Sequence, residues 1–468
     1  MDDKIQNSRL LSLTNFCKGI AILWIVLVHF KGGWFGWQGV HIFLILSGFG
    51  LAYSCLKSGR EDRWNHWFYK RFKRILPAYW VAVLASAPFL IFLDLGPKPG
   101  ASAGVFKTIL DFFLLNNVFE QFRGGGTGAF WYVPFIVGAY LLFPWMYKAL
   151  RKCSKPHHYL IFFLAIAAIE FSYRAIAIYT LDGQPIGYSE KFFTLIPNSV
   201  EALKERPDWL FGFFQRRAPF GFIPSRLSEF ALGMMAGFAV FYKPRQFDRI
   251  LFSPYAGYLG FAIWLGSQGL MYAGLWGWIF ADFAMSLGLI VWLLNVAHFW
   301  QKKSNFVFSS VTTLGIWSYY IYLTHHPFAR LFPQVRDLLT PAESSTPVRL
   351  AIFGAVFGVT LACIAAMSWL LAQFDRSNLP ETMMNVVVAG LSPVGGVLAR
   401  VAAPFEPMGQ LAKLYGMWWI LMSLLVLCSL GGVLKVASTQ SDMAPKIERL
   451  KKQQHQIATK IDRILSVQ

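Results

Sequence analysis

The sequence predicts an all-α polytopic membrane protein, with about 10–11 transmembrane helices and a C-terminal amphipathic helix. Three observations predict it. The 468 residues are 56% hydrophobic and only 14% charged, against about 25% charged in a typical soluble domain. Apolar runs of roughly 20 residues, enough to cross a bilayer, recur along nearly the whole chain. The net charge of +19 collects in short segments between those runs, as in cytoplasmic loops that set topology. That distribution speaks for a membrane and not for nucleic acid.

Eleven candidate spans follow in order: 10–31, 37–56, 75–94, 129–149, 159–181, 222–242, 254–272, 275–298, 311–333, 349–373 and 413–436. The third follows a loop, 57–74, that holds seven Lys/Arg. Further basic loops follow the fourth, sixth and eighth spans, at 148–155, 243–249 and 301–303. All four lie on one side, which the positive-inside rule makes the cytoplasm. The N-terminus is expected there, and loops 95–128, 182–221 and 334–348 on the opposite side. Stretches 105–121 and 384–406 are ambiguous; Gly, Pro and Arg400 favour an interfacial or re-entrant piece for the second. In the polar tail, Ile447, Leu450, Ile457, Ile461, Ile464 and Leu465 recur at helical spacing. Such a helix suits a coiled-coil partner or the lipid surface. Eleven spans leave the tail outside, while its six Lys/Arg favour the cytoplasm; a crossing by 384–406 would reconcile the two. The five cysteines form neither a disulfide framework nor a metal-ligand spacing. No cleavable leader is expected before the first span.

Ionisable groups inside spans are costly and by default mark function. Lys18 and His29 share the first span. Eleven residues at about 100° each put them on one helix face, about 16 Å apart along the axis. The plainer alternative has Lys18 snorkelling to headgroups and His29 resting in the interface. His41 begins the second span, close to His29 across a short loop, and Ser47-Gly48 at its middle admits close helix packing. In "YKRFKRILPAYW", Arg71 and Arg74 sit one helical turn apart. Two guanidiniums on one face suit phosphate, and equally a topology-setting loop. Glu170 with Arg174 (i, i+4) and Arg226 with Glu229 (i, i+3) are expected to pair within their own helices. "GIWSYYIYLTHHPF" puts Tyr322, His325 and His326 on one face; a histidine pair is an unusual choice for a plain core.

Taken in order, these residues resemble acyltransferase family 3, integral-membrane enzymes that O-acylate extracytoplasmic glycans. The resemblance rests on Lys18 to His29 within "CKGIAILWIVLVHF", then "GVHIFLILSGF" from Gly39 to Phe49, then Arg71 and Arg74 before "ILPAYW". "FWYVPFIVGAYLLFP", "RLSEFALGMMAG" and "SYYIYLTHHPF" follow. Each motif is loose alone; the ordered set, over residues 10–375, is specific. The chain departs at Lys18, where the family more usually has Arg, and at Asn15 and His41, where it often has an acidic residue. The resemblance implies a membrane acyltransferase domain over 1–376. An interfacial or re-entrant linker would follow at 377–412, a further transmembrane helix at 413–436 and the polar amphipathic tail at 437–468.

It also implies acetyl-CoA or another acyl-CoA as donor, no metal, and a glycan or glycolipid hydroxyl as acceptor. His29 would be general base or acyl carrier, with His325 and His326 as second candidates. Lys18, Arg71 and Arg74 would meet the coenzyme A phosphates, and Ser47, Arg226, Glu229 and Tyr322 would support the site. The expected setting is a bacterial inner membrane, with membrane lipids and a polysaccharide biosynthesis machinery as partners and no nucleic acid. Two rivals fit the composition: a transporter or flippase of a lipid-linked saccharide, and a non-catalytic subunit of a polysaccharide secretion complex that docks through 443–468.

Overall fold

In lipid, a chain must satisfy its own backbone polar groups, and a helix does so within one segment. The computed structural model describes residues 8–30, 35–59, 64–91, 101–119, 129–181, 183–188, 217–341, 343 and 345–388, and among them there is no strand. The elements are α1 (Arg9–His29), α2 (Gly39–Ser58), α3 (Trp64–Ile91), α4 (Ala101–Phe112), α5 (Tyr132–Lys152), α6 (Pro156–Thr180), α7 (Leu227–Tyr242), α8 (Pro244–Leu251), α9 (Ala256–Ser267), α10 (Gly269–Tyr272), α11 (Trp278–Lys303), α12 (Asn305–Leu339) and α13 (Thr346–Arg376). Eight of the described helices are long and apolar enough to cross a membrane, and up to nine if a bent pair counts as one span. The protein is an all-α integral membrane protein. Residues up to Glu381 form one compact unit; Thr382–Gln468 form a second, described only to residue 388. The expected span 413–436, the tail helix and most of 384–406 lie outside the described residues.

Several boundaries move, each for a local reason. The loop expected at 57–74 is mostly helix, because α3 starts at Trp64 and carries Pro77 inside it. Arg71 and Arg74 therefore stand on a rigid element. The span expected at 222–242 begins as two short 3-10 turns, 218–221 and 223–226, each with a proline in its first turn. Its α-helix starts only at Leu227. The span expected at 254–272 is α9 plus α10, and it passes as a crossing only together with α8, to which it is bent by 62°. The ambiguous stretch 105–121 is the end of α4 followed by turns. With 12 residues, α4 is about 18 Å long and too short to span.

Glycine sets how the helices meet. Helices α1 and α12 run side by side in the same direction: Phe16 stacks on Phe308 at 5.4 Å near one end, and Phe30 meets Phe332 at 5.4 Å at the other. Between these contacts the backbones nearly touch. A Cβ on Gly19 would overlap the Val311 carbonyl, and one on Gly315 would overlap the Asn15 carbonyl. Small residues at a crossing are the usual route to close packing in a membrane. Helices α2 and α7 repeat the device, with Gly48 against the Phe230 carbonyl and Gly233 against the Ile45 carbonyl. The Ser47-Gly48 pair thus lies at a close helix contact, as its small size suggests.

Gly315→Val should open the α1–α12 crossing and destabilise the full chain by about 1–3 kcal/mol, the usual range for overpacking. Thermal unfolding in detergent, against a Gly354→Ala control that meets open space, measures it.

Candidate active site

Three histidines meet where α1 ends. The parallel run of α1 and α12 brings His29 beside His325 and His326, with ring centroids 5.0 and 4.5 Å away. His325 is fully buried and His326 nearly so, while His29 is partly exposed. His29 Nδ1 lies 2.6 Å from the Ile25 carbonyl and 3.2 Å from His325 Nε2. His325 Nδ1 lies 3.0 Å from the Ile321 carbonyl and 2.9 Å from that of Tyr322. A carbonyl only accepts, so both Nδ1 atoms carry the proton. His325 Nε2 is then a lone-pair acceptor for His29 Nδ1–H. The remaining nitrogen of His29, Nε2, is left as a base. Tyr322 packs against His325 at 6.2 Å between rings, and its hydroxyl donates to the Ala129 carbonyl.

Lys18, about 16 Å back along α1, belongs to a second group. Its charged neighbour is Arg74 of α3. Arg71 lies beside Arg74 and stacks on Trp67, its guanidinium 5.6 Å from the ring. Tyr140 of α5 faces both arginines. None of the described carboxylates lies within 4 Å of these three cations. The structure thus sets a cation cluster at one end of the Lys18–His29 stripe and an imidazole cluster at the other.

His41 does not join the histidines. It is buried in a separate ionic network. Its Nδ1 lies 3.0 Å from both Glu229 carboxylate oxygens and 3.0 Å from Arg226 Nη1. Arg226 Nη2 reaches Asp282 of α11 at 3.3 Å, and Arg174 Nη1 reaches the same oxygen at 2.9 Å. Arg174 also donates to the carbonyls of Ser225 and Trp278. Glu170 accepts the Ser228 N–H at 2.6 Å, in the positive first turn of α7. The two pairs expected within single helices are therefore not the partnerships formed. Arg226 precedes α7 with non-helical backbone, so it cannot share a helix face with Glu229. Arg174 turns to α11 instead of up its own helix. The network ties α2, α6, α7 and α11 together through charges that lipid would not tolerate singly. Ser47, half-buried, stands beside Tyr132.

A family model described as an acyltransferase domain matches residues 14–368. The chain belongs to acyltransferase family 3. Comparison with curated proteins and with solved structures returns no match. In this acyltransferase the matched span contains both the cation cluster and the histidine cluster. Among the described residues no group of His, Cys, Asp and Glu is arranged to hold a metal ion. Asp282, Lys107 and Arg330 escaped the sequence reading. Asp282 and Arg330 are charges inside expected spans, so intramembrane charge marks both. Lys107 lay in a stretch too ambiguous to place.

Asp282→Asn should leave two buried guanidiniums without their shared carboxylate. It should destabilise the acyltransferase by about 3–5 kcal/mol, as for a broken buried pair, and Arg71→Ala, which removes a half-buried cation with no close described carboxylate, by far less. Unfolding in detergent compares the two.

Proposed function

We propose that this acyltransferase moves an acyl group, acetyl first among candidates, from acyl-CoA to a hydroxyl of an extracytoplasmic or lipid-linked glycan, with His29 as general base. The observation that carries the reading is the clamp on His29 Nδ1 by the Ile25 carbonyl and His325 Nε2. A sugar hydroxyl is a poor nucleophile and needs a base, for which imidazole is suited near neutral pH. A ring held by its Nδ1–H presents a fixed lone pair on Nε2. That nitrogen takes the hydroxyl proton as the oxygen attacks the thioester carbonyl. The carbon–sulfur bond then breaks, and the departing thiolate takes the proton. The positive charge that grows on His29 is shared with His325, a positioning residue that touches no substrate. His326 lines the same cluster.

Lys18, Arg71 and Arg74 are proposed to hold the coenzyme A phosphates. Guanidinium pairs suit phosphate geometry, and the basic loops support a cytoplasmic position for that side and for the N-terminus, in what we take to be a bacterial cell membrane. The stripe along α1 is then a line from donor to base. Family membership supports acyl transfer over the flippase reading. Membrane lipids surround the helices, and a polysaccharide biosynthesis machinery is the natural supplier of acceptor.

Transfer of label from acetyl-CoA into glycan, measured in membranes, tests the assignment. His29→Ala should lower turnover by about 10²–10⁴-fold. His325→Ala should lower kcat less, with the donor KM unchanged. Full transfer by His29→Ala at wild-type expression sinks the reading. Arg71→Ala/Arg74→Ala should instead raise the donor KM at least tenfold and spare kcat; an unchanged KM would move the coenzyme A site elsewhere.

A further inference from the structure

Lys107 of α4 is 2% exposed, and its Nζ has no hydrogen-bond partner. An ammonium buried without a partner is strongly disfavoured, so its retention needs a reason. Its charged neighbours are Asp111, one turn on along α4, and Arg330 of α12. Arg330 stands one turn beyond His326. Both cations act electrostatically on His326, and Arg330 acts on His29 as well. Tyr79 of α3 donates to the Asp111 carbonyl at 2.8 Å, and Asp111 also neighbours Tyr322. Lys107 and Asp111 of α4, which packs on α3, are therefore electrostatic neighbours of Tyr322, His326 and Arg330 of α12.

The charged neighbours of His326 are His29, His325, Arg330 and Lys107, and Lys107 itself has Asp111 beside it. His326 Nδ1 is also buried without a partner. The unfilled donor capacity of the Lys107 ammonium lies near His326, whose ring is 4.5 Å from that of His29, and an oxyanion is the chemistry that completes an ammonium.

We propose that Lys107, with Arg330, holds the carboxylate or phosphate of a reactant beside His29; the proposal rests on the reading of His29 as the acyl-transfer base. The anion belongs either to the acceptor, as in an acidic sugar or a sugar phosphate, or to the acyl group, as in a dicarboxylic acyl donor. Anchoring it fixes the reactant relative to Nε2, the positioning on which the rate of a base-assisted transfer depends.

The test is thermal stability of the purified full chain in detergent, with glucuronate, glucose 1-phosphate, neutral glucose, acetyl-CoA and succinyl-CoA as probes. Binding to the native state raises Tm in proportion to occupancy. Glucuronate or glucose 1-phosphate should raise Tm where glucose does not, if the anion is the acceptor's. Succinyl-CoA should outdo acetyl-CoA, if it is the acyl group's. The half-saturating concentration should rise at least tenfold in Lys107→Met and in Arg330→Gln, and stay near wild type in Lys107→Arg. His29→Ala should keep the response, which separates anion binding from catalysis. Burial lowers the Lys107 ammonium from the usual lysine range, with Asp111 opposing. The response should therefore fade from neutral to alkaline pH as that proton leaves.

The free double variant Lys107→Met/Asp111→Asn, which removes the ammonium together with its neighbouring carboxylate, should stay close to wild type in stability while losing the response. A lysine that merely props the fold would lose stability on the same change. No response to glucuronate or glucose 1-phosphate together with equal responses to succinyl-CoA and acetyl-CoA, or an undiminished response in both Lys107→Met and Arg330→Gln, overturns the proposal.

Discussion

The near-contact of two backbones at Gly19 and Gly315 is the constraint on which the rest depends. With no Cβ on either side, α1 and α12 close until each glycine lies against the other helix's carbonyl. Ten residues further along, the same two helices deliver His29 and His325 to hydrogen-bond distance. A wider crossing would part the rings, because a helix carries an offset along its whole length without absorbing it. Lipid offers little hydrophobic drive for helices to associate, so close packing has to supply it. The chemistry at one end of the pair is thus set by the absence of side chains near its middle.

Charge is the second organising force, and it is partitioned. The network of Arg174, Arg226, Asp282, Glu229, Glu170 and His41 is buried and holds four helices by paired charges and carbonyls. Lys18, Arg71 and Arg74 lack close described carboxylates, and the Lys107 ammonium has no hydrogen-bond partner. In the proposed reading, stability and binding use the same residue types in opposite arrangements. One set is paired within the protein, and the other is proposed to meet a ligand.

The proposed mechanism needs that partition. A cation cluster suits a nucleotide donor, and a pair of imidazoles with tautomers fixed by carbonyls suits a proton transfer. The length of α1 keeps the two apart by about 16 Å, a distance a coenzyme's arm can cover and a sugar cannot. His325 earns its place through His29, whose tautomer it fixes, and not through contact with substrate.

The sequence by itself determined the all-α membrane class, most of the span positions, and the pairing of Lys18 with His29 on one helix face. These follow from length, apolar content and a period of about 3.6 residues, which are local properties. The ordered motifs also pointed to acyltransferase family 3. Which charges are partners was decided only by the tertiary structure. Spacing along a helix offered Arg174 to Glu170 and Arg226 to Glu229, but Asp282 and His41, more than a hundred residues away, hold better geometry. Likewise nothing in "LTHHPF" says that it meets the end of α1, or which ring nitrogen keeps its proton. That is settled by carbonyls and by a neighbouring ring that arrive from another helix. Lys107 reads in sequence as one basic residue in an ambiguous stretch. Its burial without a hydrogen-bond partner exists only once the helices around α4 are packed, because burial is a property of the packed molecule and not of the chain.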